Sequence, residues 1–287
     1  MDAFTFFDLR SADRPNRWLM PVAQGLVSGR GTLFGGAGLG ACIAVAERAT
    51  GRPVVWAAAQ YLSFARPGAV LTLDVEELVR GHQTSQVRVV ARVGAEEILG
   101  VTAALGRRPF PIEGQWPRRP TVPPPEDCPP RDVLPRHDGT MMSRLGIRLA
   151  DGPETTESPT DRNKVSSTDS PTLTEDGRCS VWVKLPDGLE SSPAALAVVG
   201  DLVPFGVRRA TGRQLGGSSL DNTLRVAHHA PTEWVLADVR VHSVAGGYGH
   251  GLVHLWAECG TLLGTASQSI VIRGWKDEPP PDEEDPR

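Results

Sequence analysis

Asp221 and Gln268 stand out for where they fall. The run 217–273 reads as four β-strands, with Asp221 near its start and Gln268 near its end. An earlier stretch, 52–108, is a weaker copy of this run and carries alanines at the two places. The last hairpins align without gaps, 98–104 against 262–268, so Gly264 falls on Gly100 (264 − 100 = 164) and Gln268 on Ala104. Asp74-Val75 and Asp238-Val239 keep that offset, which sets Asp221 on Ala57. A buried carboxylate or carboxamide costs stability unless it is paired. A copy that folds with alanines has no structural need of the pair, so chemistry is expected in the second copy. The chemistry open to a carboxylate and an amide is general-base activation of a bound water.

Other candidate groups are less suggestive. His228, His229, His250 and His254 are scattered over strand and loop with no acid or nucleophile in a triad-like arrangement, and read as surface or satisfied histidines. Ser218 and Ser219 sit in Gly-Gly-Ser-Ser, which is not the strand–turn–helix setting of a nucleophile elbow. Gly36, Gly38 and Ala41 fit a relaxed dinucleotide-binding pattern, but that fingerprint needs a second parallel strand ending in an acid. The strands here read as antiparallel, so the small residues are better explained as letting a central helix lie close against a sheet. Cys42, Cys128, Cys179 and Cys259 lack ligand spacing, so no metal site and no disulfide framework is expected. A net charge of -4 gives no basic footprint for nucleic acid. No run approaches the roughly 18 apolar residues of a membrane span, and the N-terminus has acids and arginines where a signal peptide needs an apolar core. A soluble, cytoplasmic protein is the default expectation.

The elements that must position these residues form two similar modules. Residues 1–33 suggest two strands, or a strand and an irregular arm. The near-continuous apolar run 34–46 predicts a buried helix, stopped by Gly51. Period-two alternation then predicts strands over 53–64, 69–79, 84–93 and 98–107, with turns too short for parallel crossovers. The first module is thus 1–108. Ten prolines in 109–135 exclude helix and ladder alike and suggest a semi-rigid linker. The second module, 136–274, reads as strands near 146–150 and 179–185 around an insert over 151–178, whose polar composition predicts disorder. Ser192 and Pro193 open a second helix that Pro204 is expected to end. Strands follow over 217–227, 233–243, 249–258 and 262–273, and 275–287 is an acidic tail.

Helix then four-stranded meander, twice, is an internal repeat. The residues that fill it also carry a family resemblance. Phe34-Gly35-Gly36 opening a helix, the segments 61–68 and 81–88, Ser219-Leu220-Asp221-Asn222, Glu233-Trp234-Val235-Leu236 and the run 267–273 together resemble the acyl-CoA thioesterase II (TesB-type) double hot-dog proteins. The resemblance covers about 25–107 and 180–273. It implies an α+β fold, a tandem hot-dog in which two antiparallel sheets each wrap a central helix and the copies pack as a pseudo-dimer.

It also implies a reaction. In that family an Asp of the second copy, a Gln near its last strand and a Ser or Thr on an intervening strand hold the water that attacks a thioester. Asp221 and Gln268 match the first two, and the third falls at His242 or Ser243, with strand parity from Val239 and Val241 favouring Ser243. The last strand reads Gln-Ser-Ile where the family usually has Gln-Glu-Gly. Amides at the N-terminus of the first buried helix are unpaired donors, and Gly35 and Gly36 would let the thioester carbonyl approach them. The implied substrate is a fatty acyl-CoA, with no further cofactor, and pairing into a homo-oligomer through sheet faces is an expectation. Two rivals stand beside this reading: a catalytically idle acyl-CoA or acyl-lipid binder on the same fold, and a hot-dog hydratase. The latter usually needs a His on the central helix, and neither predicted helix holds one. Arg80, Arg88 and Arg92 could meet CoA phosphates, although a solvated face explains them better.

Overall fold

The computed structural model describes residues 1–151, 176–212 and 215–274. The insert expected over 151–178 therefore lies mostly outside the described residues, and the acidic tail wholly so.

The chain opens on a short helix, α1 (Ala3–Phe6), rather than a strand, because Asp2 caps it by accepting the Thr5 N–H at 2.8 Å. Two strands follow, β1 (Arg10–Ser11) and β2 (Arg17–Pro21), before the long helix α2 (Gly35–Thr50). Gly51 ends α2 in the left-handed conformation, φ 69°, as its position predicts. The first meander is β3 (Val54–Tyr61), β4 (Val70–Arg80), β5 (Thr84–Val93) and β6 (Glu96–Gly106). Leu71, Leu73, Val87, Val89, Ala91, Val101, Ala103 and Leu105 alternate into the core, forming the face that wraps α2.

A one-turn helix, α3 (Met141–Arg144), precedes β7 (Gly146–Leu149) and β8 (Arg178–Lys184). The second buried helix comes in two pieces, α4 (Pro193–Gly200) and α5 (Val203–Thr211). Ser192 caps α4 through the Ala195 N–H, as expected. The stop expected at Pro204 is instead a restart, since proline is tolerated in the first turn of a helix, and the break falls at Asp201 and Leu202. The strand expected over 217–227 is also two, β9 (Leu215–Ser219) and β10 (Asp221–Val226). The meander closes with β11 (Trp234–Ala245), β12 (Tyr248–Ala257) and β13 (Leu262–Gly274).

The two wraps join in one antiparallel sheet, ordered β1-β2-β4-β5-β6-β3-β10-β13-β12-β11-β8-β7, with β9 also on β13. The seam is β3 against β10. Asp221 pairs with Gln60 and Leu224 with Ala57, and 221 − 57 and 224 − 60 both equal 164. The seam is thus symmetric under the offset seen in the sequence, as a pseudo-two-fold axis requires.

The small residues of α2 serve the other central helix rather than a sheet. A Cβ on Gly36 would lie 2.6 Å from the Ala197 carbonyl oxygen, and one on Gly40 would lie 2.7 Å from that of Ala194. Only glycine lets α2 and α4 approach backbone to backbone. The proline-rich stretch does more than space the modules. Trp182 Nε1 donates to the Pro123 carbonyl at 2.9 Å, and Cys128 packs with Trp182, Leu236 and Trp256 on the outer face of the second wrap. Proline forbids a ladder but not packing.

Candidate functional site

Gln268 is placed by strand parity. Ala266, Gln268 and Ile270 point inward from β13 and are almost wholly buried. On its neighbour, Thr223 pairs with Ser267, whereas Ser219 pairs with Ile270. The two registers differ by one residue (223 + 267 = 490; 219 + 270 = 489), so Leu220 is a one-residue bulge between β9 and β10. A slip of one residue moves a side chain to the opposite face of a strand. Ser219 and Asn222 consequently share the inner face with Gln268, and Asp221 does not.

This corrects the expected pairing. Asp221 Oδ1 accepts the backbone N–H of Ser269 at 2.8 Å, a strand-anchoring role, while the Gln268 amide donates elsewhere. The carboxylate beside Gln268 is Asp201, at the break between α4 and α5. Gln268 Nε2 donates to Asp201 Oδ1 and, at 2.6 Å, to the Ser219 hydroxyl oxygen. The other oxygen, Asp201 Oδ2, accepts the Gly36 N–H at 2.7 Å, so the carboxylate sits on the positive end of α2. Burial pushes the Asp201 carboxyl up to about 6, against the opposing pull of the Gln268 amide and the Gly36 N–H. Gln268 Oε1 is buried without a partner among the described residues.

His242 and Ser243, expected at the hydroxyl position, are exposed beyond a bulge in β11 between Val241 and Ser243, and neither lines the cavity that opens on Asp201. The parity argument for Ser243 fails at that bulge. Of the two glycines expected to meet a carbonyl, Gly36 has given its N–H to Asp201. Gly35 lines the cavity, and its N–H has no acceptor among the described residues.

Asp201 and Ser219 both line the cavity. Its walls are mostly apolar, including Leu33, Phe34, Ile98, Leu99, Met142 and Leu202. Arg30, Arg131, Arg136 and Arg208 also line it, Arg131 being delivered by the stretch 109–135 where only a spacer was expected. Burial and the neighbouring arginines push His137 down to about 4, so it stands neutral near pH 7. Arg80, Arg88 and Arg92 instead pair with Glu77, Glu76 and Glu97 on the solvated face of the first wrap. Among the described residues no cluster of His, Cys, Asp or Glu is arranged to hold a metal ion, and no helix is long and apolar enough to cross a membrane.

Sequence reasoning singled out Gln268 and the two glycines and passed over Asp201 and Ser219. A signal for Asp201 was present, since it is the one charged residue in the otherwise apolar run 193–207. A charge in such a run requires a buried partner or a use. Ser219 had no comparable signal, because its direction depends on the Leu220 bulge.

Comparison with known proteins gives a consistent picture. A family model described as the acyl-CoA thioesterase N-terminal domain matches residues 25–106, and one described as the acyl-CoA thioesterase C-terminal domain matches 125–272. Among solved structures, a protein from Novosphingobium aromaticivorans, provisionally described as a thioesterase, is 33% identical over 93% of this chain and 98% of its own, with a TM-score of 0.79. The acyl-CoA thioesterase II TesB2 of Mycobacterium marinum is 20% identical over 96% and 99%, with a TM-score of 0.70. The tesB protein of Mycobacterium avium subsp. paratuberculosis is 16% identical over 95% and 98%, at 0.72. At these lower identities the likeness is one of fold. A search of curated proteins gives no match.

Proposed function

Since the chain belongs to the acyl-CoA thioesterase family and is a thioester hydrolase, we propose that it hydrolyses fatty acyl-CoA at the Asp201, Ser219 and Gln268 constellation. The observation that carries this is the buried Gln268 amide donating to both Asp201 and Ser219. Hydrolysis needs a water deprotonated beside the acyl carbonyl and donors where negative charge develops. Asp201, with its carboxyl at about 6, is charged near neutrality yet basic enough to take a proton. Gln268 and Ser219 orient the water, and the unoccupied Gln268 Oε1 is an acceptor for one of its hydrogens. The Asp201 carboxylate takes a proton as the water oxygen bonds to the carbonyl carbon. The Gly35 N–H is the donor for the oxyanion. Collapse breaks the carbon–sulfur bond, and the departing thiolate takes up the proton held by Asp201, leaving free acid and CoA. The apolar walls suit a fatty chain, and the cavity arginines carry the charge opposite to that of CoA phosphates.

Free-thiol release from a chain-length series of acyl-CoA esters tests this, with Asp201→Asn, Ser219→Ala and Gln268→Ala compared against Asp221→Asn and Ser243→Ala. Loss in the first three and retention in the last two is expected. Undiminished hydrolysis by Asp201→Asn would overturn the site. Saturable acyl-CoA binding without thiol release by the wild type would favour the idle binder.

A further inference from the structure

Tyr61 ends β3, the seam strand contributed by the first wrap, and its side chain lines the cavity. Its hydroxyl is buried and makes no well-formed hydrogen bond among the described residues. The Asn222 amide stands near enough for a weak one, and neither of its own polar atoms has a well-formed partner. A buried hydroxyl left without a partner costs about 1–3 kcal/mol, so its persistence points to a partner that binds.

The position shows what that partner is. The point where a Cβ on Gly35 would stand is 3.0 Å from Tyr61 Oη and 2.9 Å from Asp201 Oδ2. The phenol, the carboxylate and the first residue of α2 thus converge on one spot. Each oxygen of Asp201 already accepts one hydrogen bond, Oδ1 from Gln268 and Oδ2 from Gly36, and keeps a second lone pair for the water. Two donors without a firm acceptor remain near the general base: the Gly35 N–H and the Tyr61 O–H.

Building on the hydrolytic reading above, we propose that Tyr61 is a catalytic residue of this chain, donating a hydrogen bond from its hydroxyl to the thioester carbonyl oxygen and completing with the Gly35 amide a two-donor oxyanion site. Burial, with the charge of Asp201 next in effect, holds the phenol well above its ordinary range, so it remains a donor at every working pH. No proton is transferred to the oxyanion; the hydrogen bond shortens as charge develops on oxygen and relaxes when the carbon–sulfur bond breaks. Both donors come from the first wrap and the base, amide and serine from the second, so neither half of the chain holds a complete site.

The test is Tyr61→Phe, which removes one oxygen and keeps the ring. Thiol release should fall about 100-fold in kcat, the scale of losing one oxyanion donor, with KM changed less than threefold and Tm unchanged or raised. Binding separates the carbonyl from the rest of the substrate. Tyr61→Phe should bind a ketone analogue of acyl-CoA about tenfold more weakly than wild type, and a thioether analogue lacking the carbonyl equally well. Retention of wild-type kcat by Tyr61→Phe, while Asp201→Asn is inactive, would overturn the role of Tyr61 and leave the hydrolytic site standing. Activity in Asp201→Asn would instead overturn the reading on which the inference rests. A lowered Tm in Tyr61→Phe, with both analogues weakened alike, would make the hydroxyl structural and overturn the proposal.

Discussion

At the scale of single residues, the chemistry rests on one carboxylate held in an uncomfortable place. Moving a carboxyl from 3.8 to about 6 disfavours its charged form by about 3 kcal/mol. Two predictions follow from the sign of that shift. Because the base must be charged to take a proton, kcat/KM should rise with pH up to about 6 and then level, and a pH–rate profile checks this. Stability should move the other way. A raised pKa means the folded protein holds this proton more tightly than the unfolded chain does, so the contribution is present below about 3.8 and lost as pH rises through about 6. Asp201→Asn should lose at least about 100-fold in kcat, the general-base contribution. In urea unfolding it should gain stability relative to wild type between pH 4 and 7, by up to about 3 kcal/mol. The neutral amide suits the site, because Gln268 can reverse and accept from it through Oε1.

At the scale of elements, a helix contact and a bulge decide where these groups meet. The contact is the backbone approach of α2 and α4 at Gly36 and Gly40. Gly40→Ala would drive a methyl to 2.7 Å from the Ala194 carbonyl oxygen and 3.0 Å from the Phe7 ring. It should cost about 1–3 kcal/mol by denaturant unfolding, the usual penalty of overpacking. Gly40 lies one helical turn beyond the Gly36 N–H, so the pH midpoint of kcat/KM should stay in place while stability falls. The bulge is Leu220. Were the β9 register carried on without the bulge, Asp221 would stand opposite Gln268 (489 − 268 = 221), on the inner face where the repeat suggested the pair would act. Alternation and turn chemistry made the four-strand meanders legible, since the period-two signal is local. A one-residue register shift is not local, because it depends on how β13 pairs with two successive strands.

At the scale of the whole molecule, the chain behaves as one sheet wound round two touching helices. The β3–β10 seam is symmetric, while the chemistry is not: the seam keeps the offset of 164, yet Asp201, Ser219 and Gln268 all belong to the second wrap. Four arginines gathered at one cavity make the expected response to salt a property of the assembled molecule. KM for acyl-CoA should rise several-fold between about 50 and 300 mM NaCl as screening weakens attraction to the phosphates, with kcat little changed; Arg208→Ala should flatten that dependence. The sequence by itself determined the repeat, the strands, the buried helices and the inward place of Gln268, because these follow from periodicity, capping and the cost of burying an amide. Only the tertiary structure decided which carboxylate and which hydroxyl reach that amide. Asp201 meets Gln268 across a helix break that Pro204 restarts rather than ends, and Ser219 turns inward at a bulge. Tyr61 and Gly35 come to the same spot from the other half of the chain, a convergence set by sheet register and helix contact rather than by spacing along the sequence.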